Sequence, residues 1–231
     1  MAIWAIVPAA GIGARMMVTT PKQYLQVNGS SVIAHTLARL LSVTQINAVL
    51  VALHPQDELW STLGVAEDAR VTTCAGGADR CLSVLNALHA LQGRAREGDW
   101  VLVHDAVRPC VRRSDIEHLL HEIEDHPVGG LLAVPVSSTL KRARIDGNVA
   151  ATVDRSDVWQ AATPQAFRYA ALSGALSAAI ANGSLVTDEA SALELGGQAP
   201  KLVQCSADNI KITYPEDLTL AGLIMRAQEN E

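Results

Sequence analysis

The sequence has no surplus of basic residues. Its 231 residues include 18 Lys and Arg against 24 Asp and Glu, a formal charge of -6. That balance argues against a general nucleic-acid binder or a ligand of acidic membranes, which carry an excess of cations. Any anionic ligand must meet a local basic cluster instead. Cysteine is scarce as well, and Cys74, Cys81, Cys110 and Cys205 form no CxxC pair, so neither a zinc site nor a disulfide framework is expected. The apolar N-terminal stretch has no basic n-region and meets Pro8 and Gly11 too early for a signal peptide, and no later apolar run approaches membrane-spanning length. A cytoplasmic protein without membrane contact is the expectation. Internal repeats, low-complexity tracts and Pro/Ser-rich linkers are also missing. Residues 1–231 therefore read as one domain, and a content of 49% hydrophobic residues is enough to bury a full core.

What is present is alternation. Short apolar or β-branched runs, Ile3 to Val7, Ala48 to Leu53, Val71 to Cys74, Trp100 to Val103, Leu131 to Val136 and Leu202 to Cys205, are separated by helical patterns. This predicts an α/β fold with a mostly parallel sheet and helices on both faces. A helix over Val32 to Leu41 is entered through Ser30 or Ser31, Ser114 with Glu117 reads as a capping box, and Asn182-Gly183 stops another helix. From Ser137 to Arg155 the chain alternates polar and apolar residues around Asp146-Gly147, the signal of a hairpin. An isolated hairpin is marginal in water, so this one should pack on something else.

Directly after the first apolar run comes PAAGIGARM, residues 8 to 16, followed by PKQ at 21 to 23. A strand running into a glycine loop offers backbone N–H groups to phosphate oxygens. As a dinucleotide fingerprint the loop fails: Gly11 and Gly13 are there, but Met16 stands where the third glycine belongs. The second strand also ends Ala52-Leu53-His54-Pro55 without the ribose-binding carboxylate. It is not a Walker A motif either, since no GK[ST] follows. Arg15 and Lys22 instead place two cations beside one glycine loop.

A second constellation is VHDAVRP, where a strand ends at Asp105 with Arg108 three residues on. Ligands of open α/β sheets sit at the carboxyl ends of strands. A carboxylate there is a natural magnesium ligand, because Mg2+ takes one or two carboxylates plus substrate phosphates. The competing reading is a helix cap or a pair with Arg108. His104 faces the other side of the strand and reads as structural. Glycine-loop amides, two cations and a magnesium carboxylate are the parts of phosphoryl or nucleotidyl transfer, in which the protein mainly positions groups and stabilises charge.

Six segments in order, PAAGIGARM with PKQYL, GGADRCLSV, VHDAVRP, TVDRSDVWQAATPQ, TDEASALE and DNIKIT, resemble the 2-C-methyl-D-erythritol 4-phosphate cytidylyltransferase family over nearly the whole chain. The resemblance implies a Rossmann-like nucleotidyltransferase fold with a β-arm, here about residues 137–155, that embraces a second subunit of a homodimer. It implies magnesium-dependent condensation of CTP with 2-C-methyl-D-erythritol 4-phosphate in non-mevalonate isoprenoid precursor synthesis. Position by position it assigns Arg15, Lys22, Arg155 and Lys211 to catalysis and Asp105 to magnesium. Ala9, Ala10, Gly11, Gly13, Gly77, Ala78, Arg80 and Ser83 fall to CTP, and Arg108, Thr139, Thr163 and Thr187 to the second substrate. By themselves Lys211, between Ile210 and Ile212, reads as the polar face of a strand, and Thr187, ahead of Asp188 and Glu189, as a helix N-cap. The family often has an acidic residue where Ala78 stands. Here Asp79 lies next to it, which suggests a shifted hydrogen bond.

Two alternatives share many of these signals. One is a cytidylyltransferase for another polyol phosphate such as ribitol 5-phosphate, and the other a non-catalytic nucleotide-binding protein. A nicotinamide oxidoreductase is excluded by the incomplete dinucleotide fingerprint.

Overall fold

The computed structural model describes residues 1–11 and 20–229. Seven strands build the central sheet: β1 (Ile3–Pro8), β4 (Ala48–Leu53), β5 (Val71–Ala75), β6 (Trp100–Val103), β7 (Gly129–Pro135), β10 (Trp159–Arg168) and β11 (Lys201–Gln204). Their spatial order is β11-β7-β10-β6-β1-β4-β5. Neighbours pair in parallel except for β10, which runs antiparallel to both β6 and β7. Two short pairs lie apart: β2 (Gln26–Val27) with β3 (Ser30–Ser31), and β8 (Leu140–Ala143) with β9 (Val149–Val153).

Because side chains alternate along a strand, β1 sends Ala5 and Val7 into one hydrophobic cluster and Ile6 into another across the sheet, all three fully buried. The first cluster is closed by α1 (Val32–Leu41) and α3 (Arg113–Glu122) through Ile33, Leu37, Ile116 and Leu119. The second is closed by α2 (Arg80–Ala90), α4 (Tyr169–Ala181) and α5 (Glu189–Leu195) through Val84, Leu88, Leu172 and Leu193. Each such side chain contributes about 1.5–3 kcal/mol on burial. A third, smaller cluster joins α6 (Pro215–Gln228) to Val107, Cys110 and Ile212.

The expected strands are all present, and helix α1 has the expected bounds, with Ser31 accepting a hydrogen bond from the Ala34 amide. Asn182 ends α4, and Gly183 follows with φ +65°. The hairpin forms around Asp146-Gly147, with Gly147 at φ +83°. Two expectations fail. Ser114 and Glu117 make no capping box: α3 begins at Arg113 without a side-chain cap, and Glu117 pairs with Arg113 at 2.7 Å. The ion pair between positions four apart takes the carboxylate that the box required. The DNIKIT segment, 208–213, is not a strand; one backbone bond from the Ile212 amide to the Val107 carbonyl, 2.9 Å, ties it down.

Strand β10 has no counterpart in the sequence reading. Pro164 interrupts its apolar pattern, and proline argues against a central strand. The structure places Pro164 inside a register shift between Ala161 and Gln165, where no ladder bond is lost.

Candidate active site

Strand order reverses between β1 and β6: β4 and β5 extend the sheet on one side, β10, β7 and β11 on the other. The crevice outside the carboxyl ends of β1 and β6 is where such a sheet binds ligands. A cavity of about 420 Å3 opens there. The glycine loop contributes Ala9, Ala10 and Gly11, and Lys22 stands beside it in a 3-10 turn, Lys22–Tyr24. The β5–α2 turn adds Gly77 and Ala78, and the start of α2 adds Arg80 and Ser83; Asp105 follows β6, and Lys211 closes the cavity from the DNIKIT segment. Residues spread over two hundred positions thus share one wall. Gly13 and Arg15 lie outside the described residues.

The loops are held from behind. The Ala9 amide bonds the Ala52 carbonyl at 2.8 Å. The buried Gln23 side chain donates to the Ala9 carbonyl at 2.8 Å and the Gly11 carbonyl at 3.2 Å. A Cβ on Gly76 would collide with Ala10 and one on Gly77 with Leu82, so both turns pack at backbone distance. Ser83 is buried with its hydroxyl committed, accepting from the Gly77 amide at 3.0 Å and donating to the Asp79 carbonyl at 2.7 Å. The Asp79 carboxylate caps α2 by accepting from the Leu82 amide at 2.8 Å, so the residue beside Ala78 already has a structural partner.

Asp105 is the electrostatic centre. Arg80 Nε donates to its Oδ1 at 2.9 Å, while Lys211 Nζ at 2.9 Å and Arg108 Nε at 3.4 Å face Oδ2. Burial alone would raise its pKa, but Arg80, Lys211 and Arg108 together hold the carboxyl well below the usual carboxylate range. The pair with Arg108 is thus realised together with the placement in the crevice. Lys211 projects into the cavity because Ile212 is anchored in the third cluster.

Behind Asp105, geometry fixes the state of His104. A carbonyl only accepts, so Nε2, 3.2 Å from the Arg108 carbonyl, carries the proton, and Nδ1 accepts from the Thr163 hydroxyl at 3.0 Å. Thr163 Oγ1 in turn accepts from the Asp105 amide at 3.0 Å. Complete burial pushes the imidazole down to about 4, so it is neutral at physiological pH. His104 lies just past the end of β6, fully buried and outside the cavity lining, which accords with the structural reading. Asn209 donates to the Thr163 carbonyl at 2.8 Å, and Arg108 Nη1 to the Asn209 carbonyl at 2.7 Å.

Thr163 is thereby 4% exposed with its hydroxyl committed to His104 and Asp105. Thr187 lies at the rim of a neighbouring cavity of about 440 Å3; it is not the N-cap of α5, a place taken by Asp188 in a capping box with Ser191. Thr139 and Arg155 are exposed at the foot of the hairpin and do not line the cavity within this chain. One residue escaped the sequence reading. Glu189, the first residue of α5, is 1% exposed and takes Arg80 Nη1 at 2.6 Å and Nη2 at 3.0 Å. Its only signal was a second carboxylate inside TDEASALE, masked because acidic residues are ordinary in a first helical turn. Among the described residues no three His, Cys, Asp or Glu side chains gather as a metal cage, and no helix is long and apolar enough to cross a membrane.

Comparison with known proteins gives this geometry its context. The family model of 2-C-methyl-D-erythritol 4-phosphate cytidylyltransferase matches residues 3–227. The cytidylyltransferase of that name from Ectopseudomonas mendocina is 56% identical over 216 residues, covering 93% of this chain and 92% of that protein. The solved enzyme from Francisella tularensis superposes with a TM-score of 0.85 at 36% identity, over 97% of this chain and all of that one. The enzyme from Thermus thermophilus gives 0.79 at 30%, over 96% of this chain and 98% of that one. The chain belongs to the 2-C-methyl-D-erythritol 4-phosphate cytidylyltransferase family.

Proposed function

We propose that the cavity between β1 and β6 binds CTP and 2-C-methyl-D-erythritol 4-phosphate and joins them. An oxygen of the methylerythritol phosphate attacks the α-phosphorus of CTP, the bond to the β-phosphate oxygen breaks, and pyrophosphate leaves with the electron pair. A phosphate monoester with a second pKa near 6 is largely dianionic at neutral pH, so the step requires no general base. The neutral, fully enclosed His104 accords with that. In this reading Lys22 and the Ala10 and Gly11 amides would hold the triphosphate, and Lys211 the incoming phosphate. Charge on the phosphoryl oxygens peaks in the transition state, so fixed cations act most strongly there. The observation that carries the reading is the convergence of Lys22, Arg80 and Lys211 on one crevice around buried Asp105.

Asp105 suits a magnesium ion bound together with the substrate. It accepts three side-chain donors, and a carboxylate has about four lone-pair directions, so a hard oxygen donor remains for a cation that takes its other ligands from phosphates and water. Magnesium would there neutralise phosphate charge and help release pyrophosphate. Before substrate arrives, three surrounding cations oppose a bare metal ion, which favours its entry with the triphosphate.

The hairpin supports a two-fold homodimer. Thr139 and Arg155 stand away from their own chain's cavity, and Ile145 and Val149 at its tip are exposed. A partner subunit's crevice would give all four a contact, with Arg155 reaching the second substrate's phosphate. A cytoplasmic location accords with this reading. Pyrophosphate release across the four nucleoside triphosphates, with and without methylerythritol phosphate and Mg2+, tests the proposal. Release should require all three components and be best with CTP. Equal turnover with ATP or GTP would remove the base assignment, and faster turnover with ribitol 5-phosphate would remove the second substrate.

A further inference from the structure

We propose that Glu189 is a positioning residue of this active site, holding the Arg80 guanidinium so that its Nε fixes Asp105. The proposal rests on the reading that Asp105 lies at the reacting centre. The Arg80 guanidinium has three nitrogens, and each is committed: Nη1 and Nη2 to Glu189 at 2.6 and 3.0 Å, Nε to Asp105 Oδ1 at 2.9 Å. The fork of a guanidinium is planar and rigid, so a bidentate grip at one end sets the direction of the third donor. Glu189 is itself buried at the start of α5, where Asp188 and Ser191 form a capping box beside it. Gln165, also buried, ties the same turn to β10 by accepting from the Ala190 amide at 2.9 Å and donating to Asp188 at 2.9 Å. A chain of rigid contacts therefore runs from α5 to the carboxylate in the crevice.

A stability role alone accounts poorly for this arrangement. Two buried carboxylates bridged by one arginine contribute little net stability compared with a packed apolar core. What they supply is direction and charge balance. Arg80, Lys211 and Arg108 against Asp105 and Glu189 leave one net positive charge in the cluster. Replacing Glu189 by glutamine raises that to two and leaves the Arg80 fork one acceptor where it had two. Anionic substrate should then bind as well or better while turnover falls, the opposite of what general damage to the site produces.

The test compares Glu189→Gln, Glu189→Asp, Arg80→Lys, the double variant Glu189→Gln/Arg80→Lys and Asp105→Asn, with kcat from pyrophosphate release and CTP affinity from calorimetry. Glu189→Gln should lower kcat about tenfold to a hundredfold, the range for losing a group that aligns a reacting residue, while the Kd for CTP stays the same or falls. Glu189→Asp, which keeps the charge at shorter reach, should recover part of the loss. In the Arg80→Lys background Glu189→Gln should change kcat by less than about twofold, because two residues acting through one contact do not add. Unchanged kcat in Glu189→Gln, parallel losses of kcat and CTP affinity, or full additivity with Arg80→Lys would each overturn the proposal. If Glu189→Gln does not fold, the same fall in kcat at retained CTP affinity must appear in Glu189→Asp, and its absence there is equally decisive. Near-normal turnover by Asp105→Asn would instead remove the underlying reading of the site, whereas an inactive Asp105→Asn beside a normal Glu189→Gln removes Glu189 alone.

Discussion

Replacing His104 by Gln should take away most of the acid sensitivity that the site's own framework confers. The imidazole is fully buried, donates to the Arg108 carbonyl and accepts from Thr163, and burial pushes its pKa from 6.5 down to about 4. Above pH about 6.5 it is neutral in both folded and unfolded chains, and its full contribution is present. As pH falls from 6.5 toward 4 the unfolded chain takes up a proton that the folded chain refuses, and stability is lost by about 1.4 kcal/mol per pH unit. Over the interval the loss sums to about 3 kcal/mol, and below pH 4 it levels off. Asp105 is also depressed, but its window opens below the ordinary carboxylate pKa and so lies lower on the scale. Urea denaturation at pH 7, 6, 5 and 4 separates the two. The stability difference between the wild type and His104→Gln should shift by about 3 kcal/mol against the wild type across that range. Glutamine can donate and accept as the imidazole does but does not titrate, so the difference isolates the proton. Parallel stability curves would refute the assignment of a neutral, buried His104.

Lys22→Ala should reduce kcat at least about a hundredfold, as loss of one charge-stabilising donor does, with CTP affinity falling less; a raised KM at normal kcat would show that Lys22 only binds substrate. If the chain forms the proposed two-fold dimer, refolding Lys22→Ala together with Arg155→Ala should restore about a quarter of wild-type activity, since random pairing would make half the dimers mixed, each with one intact site. No recovery in a mixture shown by mass spectrometry to contain mixed dimers would mean that Arg155 serves its own chain. Asp79→Ala removes the cap of α2 and should cost about 1 kcal/mol of stability while leaving preference for CTP intact; a relaxed preference would show that its carboxylate reads the base.

Most of the fold and much of the candidate site's lining were legible in the sequence. Apolar runs bounded by helices, the glycine loop, Asp105 at a strand end and the hairpin around Asp146-Gly147 are local patterns, and local patterns follow from backbone geometry and side-chain periodicity. Ten of the residues expected to bind or act line one cavity because ligand sites in such sheets collect at strand ends near a reversal of order. Strand β10 was illegible because a proline inside a register shift breaks the periodicity by which a strand is recognised. The capping box at Ser114 failed because Glu117 had a nearer charged partner in Arg113.

Residue types and their order, then, determined which groups were available: two lysines, four arginines, two carboxylates and the loops that carry them. Tertiary structure alone decided who pairs with whom. Whether Arg80 binds phosphate or carboxylates depends on Glu189, 109 positions away, and whether Thr163 faces substrate or holds Asp105 depends on His104 across a strand pairing. The physical reason is that a charge or hydroxyl carries no address in the sequence. Its partner is chosen by which groups the sheet order brings within about 3 Å of it once water has been excluded.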